Sequence, residues 1–453
     1  SERMLPVYID DEPADQPWRE GGASRWWRHH SLAALDRSLR DLGSRLLILQ
    51  GDSLGELQQL IAATGARRVC WNRRYEPALI ERDRGLKAAL KDQGVDCASH
   101  NGQLLREPWQ LLNKSGQPYR VFTPFWRAAG AEVGTQAPRP APGALPPLPG
   151  GAPDGLALER LALLPSVPWD QGLTQAWTPG EAGAQSRLRS FLEDYADYAE
   201  QRDLPAIPGT SMLSPHLHFG ELSPRQVALA ILGAAAVAPE AEAGARAHLR
   251  QLGWREFAHH LLYHFPHASD RPLDLRFEGF PWRKDEPALA AWQRGETGIP
   301  MVDAGQRQLW RSGWMHNRVR MLVASLLSNN LGLHLLEGAR WFWDTLVDAD
   351  LANNSLGWQW TAGCGADAAP YFRIFNPVTQ GQRFDPQGEY VRRWVPELGQ
   401  MPSKWIHQPW QAPADELRAA GVRLGENYPE PLVDLKATRR RALAAWDRIK
   451  TQR

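Results

Sequence analysis

DADLANNSLGWQWTAGCGADAAPYFRIF, residues 348–375, holds three acids, three amides, two tryptophans and an arginine among glycines and alanines. These positions follow neither a helical nor a strand period, whereas a segment that only filled a core would show apolar periodicity. Amides and acids can hydrogen-bond the edge of a heteroaromatic ring, and tryptophan can stack on such a ring or pass it an electron. The stretch therefore predicts a site for a flavin or a nucleobase.

Composition narrows the class of protein. The 453-residue chain has a net charge of +1 and 21 tryptophans, so any nucleic-acid site must depend on locally placed arginines. Core packing is expected to account for most of the tryptophans. Cys70, Cys97 and Cys364 show no paired spacing, which argues against a zinc ribbon or a disulfide framework and favours a reducing cytosol. No apolar run approaches the roughly 18 residues of a membrane span, and no signal peptide opens the chain. We therefore predict a soluble cytoplasmic protein, a monomer with no membrane partner.

The first 125 residues alternate strand-like and helix-like runs. Strands are predicted at Met4–Ile9, Leu46–Gln50, Arg68–Trp71 and Cys97–His100, and helices at Ser24–Leu42, Leu54–Ala63 and Pro77–Gln93. This alternation predicts an α/β doubly wound N-terminal domain over residues 1–125. The chain opens almost inside a strand, whereas the first strand of a doubly wound sheet usually lies near its centre. We therefore expect an element upstream of Ser1 to be missing.

A linker and a second domain follow. Residues 137–150 are so dense in proline and glycine that they favour an extended segment, and we assign residues 126–179 to an interdomain linker. Helical periodicity dominates residues 180–453, for example over Ser223–Val237, Gly244–His264 and His316–Asn329, and strand-like runs are almost missing. The second domain is therefore predicted to be mostly α-helical.

Two motifs of this domain have a structural and a functional interpretation. In Gly209–Pro215, GTSMLSP, hydroxyls and backbone N–H groups precede a helix and suit an anion, although an ordinary Ser/Thr N-cap explains the same pattern. In Gly313–Met321, GWMHNRVRM, Asn317 and Met321 share a helical face, although a capped helix with a solvated arginine face is the alternative.

A third motif lies on another predicted helix. Residues 254–257, WREF, follow Gln251 on the same face, and the alternative to a binding role is a buried Arg–Glu pair with aromatic packing. His259 and His260 are adjacent and cannot form an i,i+4 metal pair, so we assign them packing or surface roles and predict no metal site.

Together these weak signals indicate a nucleic-acid site. A basic face can be formed by Arg202, Arg318, Arg320, Arg373 and Arg392. Trp254 and Trp360 are suited to stack on bases. Phosphate contacts would position DNA, and stacking would hold an extruded base.

Five motifs in this order, GTSMLSP, WREF, GWMHNRVRM, DADLANNSLGWQW and GADAAPYFRIFNPVTQG, resemble the photolyase/cryptochrome family. The resemblance is specifically to bacterial class I cyclobutane pyrimidine dimer photolyases, and WNRRYEP and VFTPFW extend it into the first domain. It implies an α/β antenna domain followed by a helical domain that binds FAD in a U shape. It also implies light-driven repair, in which excited reduced FAD lends an electron to a cyclobutane dimer flipped out of DNA.

The resemblance also implies the cofactor site. By match to the family motifs, the FAD-binding residues would be Tyr198, Thr210, Ser211, Met212, Leu213, Ser214, Gln251, Arg255, Trp314, Asn317, Arg320, Asp348, Asp350 and Asn354. The hydroxyl loop would hold the phosphates, and Asp348 and Asp350 would contact the adenine, ribose and isoalloxazine region. Asn354 would face flavin N5, where an ionised carboxylate would repel an anionic reduced flavin.

Roles in repair follow by the same match. Catalytic residues would be Gln251, Trp254, Asn317, Met321, Asn354 and Trp360, and DNA contacts would come from Arg202, Trp254, Arg318, Met321, Trp360 and Arg373. Trp254 and Trp360 would form a wall against the dimer, and Asn317 would bond a thymine edge. Trp358, Trp282 and Trp360 would carry electrons. Glu76 would contact a second, antenna chromophore, and the choice between a folate and a deazaflavin stays open.

The chain departs from the class I pattern at two side chains. Gln251 stands where glutamate is usual, and a glutamine can hydrogen-bond the dimer but cannot supply a proton or a charge. Leu335 stands at the middle of the family's tryptophan chain, where an aliphatic side chain cannot relay a hole, so photoreduction would be slow or use Trp360, Trp341 or Trp343 instead. The family's opening strand is also missing.

Three functions remain for the structure to separate. The first is repair of cyclobutane pyrimidine dimers in DNA; repair enzymes for (6-4) lesions resemble the chain less, because they place histidines where Asn317 and Met321 stand. The second is a cryptochrome-type blue-light photoreceptor without repair, favoured by Gln251 and Leu335. The third is a flavoprotein or helical DNA-binding protein unrelated to light.

Overall fold

The computed structural model describes residues 3–11, 16–130, 133, 137–367 and 372–450. Parts of the predicted linker, residues 131–132 and 134–136, lie outside these ranges. So do residues 368–371 of the GADAAPYFRIFNPVTQG motif.

The N-terminal domain alternates strands and helices as predicted. Its elements are β1 (Val7–Asp10), α1 (Gly22–Asp41), β2 (Leu47–Gln50), α2 (Ser53–Thr64), β3 (Arg68–Asn72), α3 (Pro77–Asp92) and β4 (Asp96–His100). β1 pairs in parallel with β2, and β3 pairs in parallel with β4. Each parallel pair is joined by a crossover helix, α1 or α3, as a parallel pairing requires. Among the described residues the two pairs form separate two-stranded sheets.

The predicted linker packs onto the α/β domain and is partly helical. The Leu145 N–H donates to the Leu42 carbonyl over 2.7 Å, and the Leu156 N–H donates to the Ile48 carbonyl over 2.8 Å. Helix α4 (Phe122–Ala129) runs across the predicted boundary at residue 125, and α5 (Gln171–Ala176) lies inside the predicted linker. Residues 145–156 therefore pack on the first domain, whereas α5 packs against the helix Pro300–Ser312 of the second.

The rest of the described chain is helical, as predicted. The helices are α6 (Glu181–Asp194), α7 (Tyr198–Gln201), α8 (Ser214–His218), α9 (Pro224–Val237), α10 (Glu242–His264), α11 (Glu286–Arg294), α12 (Pro300–Ser312), α13 (Asn317–Ser325), α14 (Leu335–Thr345), α15 (Leu351–Ala362), α16 (Pro377–Phe384), α17 (Glu389–Trp394), α18 (Ala414–Ala419) and α19 (Leu435–Ile449). A π-helical turn, Leu326–Leu331, continues α13. None of the described helices is both long enough and apolar enough to span a bilayer.

Helix α10 is central to the helical domain. It packs against α4, α7, α9 and α15, and most residues of its C-terminal half are buried. A helix that is covered on most sides has no wide polar stripe, so the polar residues that it buries must find partners on neighbouring elements. Several of the predicted site residues lie on α10, at the start of α13 and at the start of α15.

Candidate functional site

The segment Gly209–Ser214 has free donors at the start of α8. Met212 has a left-handed backbone with φ of 50°, which is uncommon outside glycine and marks a local constraint. The side chain of Leu213 is buried among Leu217, Leu222 and Val227, so only its backbone is left for a ligand. Within the described chain, the N–H groups of Thr210 to Leu213 and the hydroxyls of Thr210 and Ser211 make no hydrogen bond. This donor-rich turn suits a phosphate.

An ion pair ties this loop to the start of α13 and to the segment before α15. Arg320 donates from Nη2 to both oxygens of Asp348, over 3.1 and 2.9 Å. The Ser214 hydroxyl donates to Asp348 Oδ2 over 2.6 Å. Trp314 and Met212 pack in one cluster with Trp26 and Trp27 of α1. Three predicted cofactor residues, Ser214, Arg320 and Asp348, are thus brought together, and two more, Met212 and Trp314, share a hydrophobic cluster.

Asp350 and Asn354 lie one turn apart at the start of α15. Asp350 caps the helix, accepting from the Asn353 N–H and Asn353 Nδ2 over 2.8 and 2.7 Å. Asn354 donates from Nδ2 to the Ala339 carbonyl over 2.9 Å. No described residue uses Asn354 Oδ1, so the amide presents an acceptor. An acceptor at this atom is what the N5–H of a reduced flavin requires.

The assignment of His259 to a packing or surface role was wrong. His259 Nε2 lies 3.3 Å from Asp350 Oδ2, and His218 Nδ1 lies 3.5 Å from the same oxygen. Burial alone would lower the pKa of His259, but the charge and hydrogen bond of Asp350 outweigh it and raise that pKa. Burial likewise opposes the ionised form of Asp350, yet His259 and His218 hold its pKa well below the usual value. These shifts favour the imidazolium form of His259 beside an ionised Asp350.

The sequence contained one indication that His259 belongs to the site. His259 lies four residues after Arg255 and so shares its helical face. Arg255 itself donates to the Gln103 carbonyl over 2.6 Å, across the boundary between the two domains. Gln251, a further turn back, is partly buried and donates only weakly to the Ala247 carbonyl, over 3.4 Å.

Trp254 is held face to face against Phe122. The ring centroids are 3.7 Å apart and the ring planes differ by 6°. Phe122 is completely buried, whereas Trp254 is partly exposed, so one face of the indole is covered and the opposite face is the available one. Asn317 Nδ2 lies 4.0 Å from Met321 Sδ, which confirms that these two side chains meet on one face of α13.

Two of the predicted DNA-binding arginines are engaged by one acid. Arg318 Nη2 lies 2.6 Å from Asp203 Oδ2, and Arg202 Nε lies 3.8 Å from Asp203 Oδ1. Arg318 also lies over the ring of Phe384, at 4.1 Å from its centroid. Arg373 lies over the ring of Trp360, at 5.9 Å. Sequence reasoning missed Asp203, because its neighbours along the chain gave no reason to pair it with a residue of α13.

The predicted electron-transfer residues Trp358 and Trp282 lie in aromatic surroundings. Trp358 is 2 % exposed, and its ring centroid is 5.1 Å from Phe342 and 6.1 Å from Trp292. Trp282 lies 4.5 Å from Phe280 and 5.1 Å from His334. Leu335 is buried and starts α14. Trp292, which the sequence analysis did not single out, is therefore a direct aromatic neighbour of Trp358.

The two alternative tryptophans of α14 also have aromatic partners. Trp341 stacks on Trp310 with ring centroids 5.9 Å apart and planes within 2°. The Trp310 side chain is 57 % exposed, so this stack reaches the protein surface. Trp343 packs edge-on against Trp18 at 5.5 Å.

A cavity of about 340 Å³ lies between the two domains beside Glu76. Its wall includes Tyr8, Trp18, Arg74 and Glu76 of the N-terminal domain and His218, Asp270 and Trp343 of the helical domain. The Glu76 carboxylate accepts from Arg74 Nη2 over 2.6 Å and from the Tyr75 N–H over 3.0 Å. Burial raises the pKa of Glu76, but Arg74 more than compensates and lowers it to about 2. The wall therefore presents an ionised carboxylate between aromatic rings.

Comparison with known proteins agrees with this geometry. Residues 1–143 match the family model described as DNA photolyase, and residues 248–448 match the model described as the FAD binding domain of DNA photolyase. The deoxyribodipyrimidine photo-lyase of Agrobacterium fabrum is 48% identical over 450 residues, which cover 99% of this chain and 92% of that protein. The chain belongs to the DNA photolyase/cryptochrome family. Its helical part is the family's FAD-binding domain, and its cofactor is FAD.

Two further likenesses refine the position of this family member. A crystal structure described as a bacterial class III photolyase from Agrobacterium tumefaciens matches with a TM-score of 0.95 and 48% identity, covering 100% of this chain and 93% of that one. Cryptochrome-2 of Arabidopsis thaliana is 39% identical, covering 96% of this chain and 73% of that protein. The expected fold is confirmed, whereas these relatives give no support to the expected class I assignment.

Proposed function

We propose that this protein repairs cyclobutane pyrimidine dimers in DNA with light. The observation that carries the proposal is the joint placement of a donor-rich phosphate loop, an amide acceptor on α15 and a partly exposed tryptophan braced on one face. The names of the two Agrobacterium relatives support this activity. The likeness to the second of them suggests class III in place of class I.

The described residues fit FAD. The unpaired N–H groups and hydroxyls of the Gly209–Ser214 segment would hold its diphosphate, and the Arg320–Asp348 pair fixes the position of that loop through Ser214. Asn354 would hydrogen-bond N5 with its Oδ1, while the Ala339 carbonyl holds the other end of the amide. When bound and reduced, FAD supplies the photoexcited electron that opens the cyclobutane ring, and the protein supplies position and exclusion of water.

The charge at His259 favours an anionic cofactor nearby. Asp350 would by itself repel added negative charge, and the imidazolium of His259 neutralises it. Asp350 Oδ1 is taken by Asn353 and Oδ2 by the two histidines. We therefore assign Asp350 the role of orienting α15 and Asn354, with any contact to the isoalloxazine secondary to it.

The lesion would be held from outside by side chains of three helices. The free face of Trp254 would stack on the dimer, Trp360 would form the second side, and Asn317 would bond a thymine edge with Met321 beside it. Gln251 would hydrogen-bond the dimer without adding a charge. Arg373, which lies over the Trp360 ring, would contact a phosphate, and Arg202 and Arg318 would do so only on leaving Asp203.

We also propose that the cavity beside Glu76 holds a second chromophore. A volume of about 340 Å³ lies within the usual range for small-molecule sites, which is roughly 300–1,000 Å³. An ionised carboxylate accepts hydrogen bonds only, so it selects a heteroaromatic ring with N–H donors, and Trp18 and Trp343 offer faces or edges to pack on it. Loss of extractable pigment other than FAD in Glu76→Gln protein would support this site, and unchanged pigment would refute it.

A signalling function without repair is the second candidate. The likeness to an Arabidopsis cryptochrome favours it, together with Gln251. Under this function the lesion-facing residues would have no selective effect on binding to damaged DNA.

The test is binding of Trp254→Ala protein to oligonucleotides with and without a thymine dimer. Stacking is worth about 1–3 kcal/mol per base, so the variant should lose about five- to 150-fold in affinity for the dimer and little for undamaged DNA. Trp310→Ala, which removes an exposed tryptophan elsewhere, is the matched control and should change neither affinity. Equal losses of Trp254→Ala on both DNAs would reject the proposed lesion site.

A further inference from the structure

Asp203 lies between two arginines that the proposed function assigns to DNA phosphates. Arg318 Nη2 is 2.6 Å from Asp203 Oδ2, and Arg202 Nε is 3.8 Å from Asp203 Oδ1. Arg318 belongs to the first turn of α13, whereas Arg202 follows the last residue of α7. One carboxylate therefore binds cations from two different elements, one through each oxygen.

These ion pairs are open to competition from other anions. The side chain of Asp203 is 37 % exposed, and those of Arg202 and Arg318 are 23 % and 19 % exposed. Ion pairs that water and salt can reach stabilise a protein little, because both charges are screened. Arginine binds phosphate by charge-assisted hydrogen bonds, often through two parallel N–H donors. A DNA phosphate brought close to these arginines can therefore displace the Asp203 carboxylate.

Aromatic rings support both guanidinium groups independently of the carboxylate. The Arg318 guanidinium lies 4.1 Å from the centroid of the Phe384 ring, and that of Arg202 lies 5.7 Å from the centroid of the Tyr198 ring. Arg383, which is exposed, lies 5.0 Å from the same Phe384 ring and has no acidic partner among the described residues. Three arginines thus surround one acid, and the excess of positive charge suits a polyanion.

The start of α13 favours an anion beside Arg318. The helix dipole is positive at this end, and the first turn of α13 contains no acidic residue. Asp203 supplies the negative charge from outside the helix, and a phosphate would supply the same charge in its place. Asn317, the residue before Arg318, is assigned to the thymine edge. A dimer held by Asn317 therefore brings its own backbone toward Arg318.

We propose that Asp203 competes with DNA phosphates for Arg318 and Arg202, which limits the affinity for lesion-containing DNA and promotes release of the DNA after repair. A dimer extruded toward Asn317 carries its flanking phosphates to the arginines, and these phosphates must break the ion pairs first. Once the repaired bases return to the duplex, the phosphates withdraw and the ion pairs form again. The inference rests on the proposed function, because it assumes that both arginines face DNA. It adds a residue that opposes binding, which the proposed function does not contain.

The test compares wild type with Asp203→Asn as full-length, FAD-loaded protein, in darkness, on duplex oligonucleotides with and without one thymine dimer. Asparagine keeps the size of the side chain and removes its charge. An exposed ion pair changes an equilibrium constant by at most about fivefold, so Asp203→Asn should bind dimer DNA about two- to fivefold more tightly. A residue that only positioned the arginines would give weaker binding when it is replaced. Unchanged or weaker binding of dimer DNA would therefore overturn the proposal.

Undamaged DNA provides the comparison within each protein. It gains the full effect only if its phosphates take the arginines, so its affinity should rise no more than that of dimer DNA. A larger gain for undamaged DNA would contradict recruitment of the arginines by the lesion.

Release is measured by chasing labelled dimer DNA with unlabelled competitor. Asp203→Asn should dissociate about two- to fivefold more slowly, because contacts made after extrusion act mainly on dissociation. An unchanged dissociation rate would refute the role in release.

Two variants separate this competition from a general effect of charge. Glu81→Gln removes one acid from an exposed pair with Arg84, also at 2.6 Å, on α3 of the N-terminal domain, and should change neither affinity. In an Arg318→Gln background, Asp203→Asn should lose most of its effect, because the two residues act through one contact. An equal gain from Glu81→Gln, or a full gain without Arg318, would show an effect of charge alone and would overturn the proposal.

Two outcomes distinguish failure of this inference from failure of the proposed function. If wild type restores thymines in the light but Asp203→Asn binds dimer DNA no more tightly, only the inference fails. If wild type restores none, the proposed function fails, and a gain in DNA affinity that depends on Arg318 still establishes the competition. If Asp203→Asn does not fold, Asp203→Ser takes its place, because serine is small, polar and uncharged. It should give the same gain for dimer DNA, and the absence of a gain would refute the competition.

Discussion

The adjacent histidines 259 and 260 should give opposite pH signatures in stability. His260 Nε2 accepts the Tyr119 N–H over 3.0 Å, and its Nδ1 has no partner among the described residues, so protonation at Nε2 would cost that hydrogen bond. Burial lowers its pKa to about 4. His259 instead faces Asp350 and has a raised pKa. Burial therefore favours the neutral form of His260, whereas Asp350 favours the charged form of His259.

The effect of His260 on the free energy of unfolding can be calculated from its pKa in the folded and unfolded chain. A folded pKa of about 4 against an ordinary 6.5 means that protonation favours the unfolded chain below pH 6.5. Relative to pH 8, wild type should lose about 2 kcal/mol at pH 5 through this group, because each pKa unit is worth about 1.4 kcal/mol. His260→Gln does not titrate there and escapes this loss. The advantage of wild type over His260→Gln should therefore shrink as the pH falls from 7 to 5.

The contribution of His259 to stability changes with pH in the opposite direction. Its raised pKa stabilises the protein fully below pH 6.5, and this contribution is lost as the pH rises through the folded value. Breaking a buried pair costs about 3–5 kcal/mol, and we expect the lower end because Asn353 and His218 still bond Asp350. The groups that face His259 besides Asp350 are Arg255, Glu256 and the Tyr75 ring.

The assay is urea denaturation of wild type, His259→Gln and His260→Gln at pH 5, 6, 7, 8 and 9, each variant compared with wild type at the same pH so that other titrations cancel. The deficit of His259→Gln should be largest at pH 5 and 6 and should shrink toward pH 9. The deficit of His260→Gln should be smallest at pH 5. Deficits of both variants that change with pH in the same direction would refute the assignment of charge to His259.

Three further predictions concern the flavin and its electron supply. Gly338→Ala would place a Cβ 2.0 Å from Cη2 of Trp358, so we expect a loss of about 1–3 kcal/mol and slower photoreduction; Gly85→Ala on α3, which has open space, should be neutral or stabilising, and equal melting temperatures of the two variants would contradict the packing. Asn354→Asp should lower the reduction midpoint of bound flavin through repulsion of an anionic reduced form, and an unchanged midpoint would count against the N5 contact. Trp358→Phe should slow photoreduction under blue light while chemically reduced protein keeps its repair rate; a fall in both would remove the electron-supply role.

Hydrophobic periodicity predicted the helices and strands well in the segments where it was regular. The strand and helix alternation of residues 1–125 gave all four strands of the described N-terminal domain within a few residues, since each run buries one face at its own period. The helix predicted over His316–Asn329 is there, but it changes to a π-helical turn at Leu326, where buried Asn329 donates to Ser325 and to the Thr361 carbonyl. A partner as distant in sequence as Thr361 cannot be predicted from the periodicity of the residues around Asn329.

In the candidate site, too, local motifs predicted some residues, whereas their partners on distant elements were missed. Motifs that match the family gave the loop before α8, Arg320, Asp348 and Asn354. The structure joins the loop, Arg320 and Asp348 by hydrogen bonds, and it ties Asn354 to the Ala339 carbonyl. The partners that set their charge and orientation were missed. His259 and Asp203 act through residues on other elements, and neither spacing nor composition indicates which distant side chain they meet.

The most direct test of the central claim is a count of thymine dimers in a defined oligonucleotide incubated with chemically reduced, FAD-loaded protein under blue light and in darkness. Reduction by dithionite bypasses Leu335 and the tryptophans, so the result depends on the lesion site alone. We predict that intact thymines return in the light and that none return in the dark. A constant number of dimers under illumination, with the flavin fully reduced, would contradict the account.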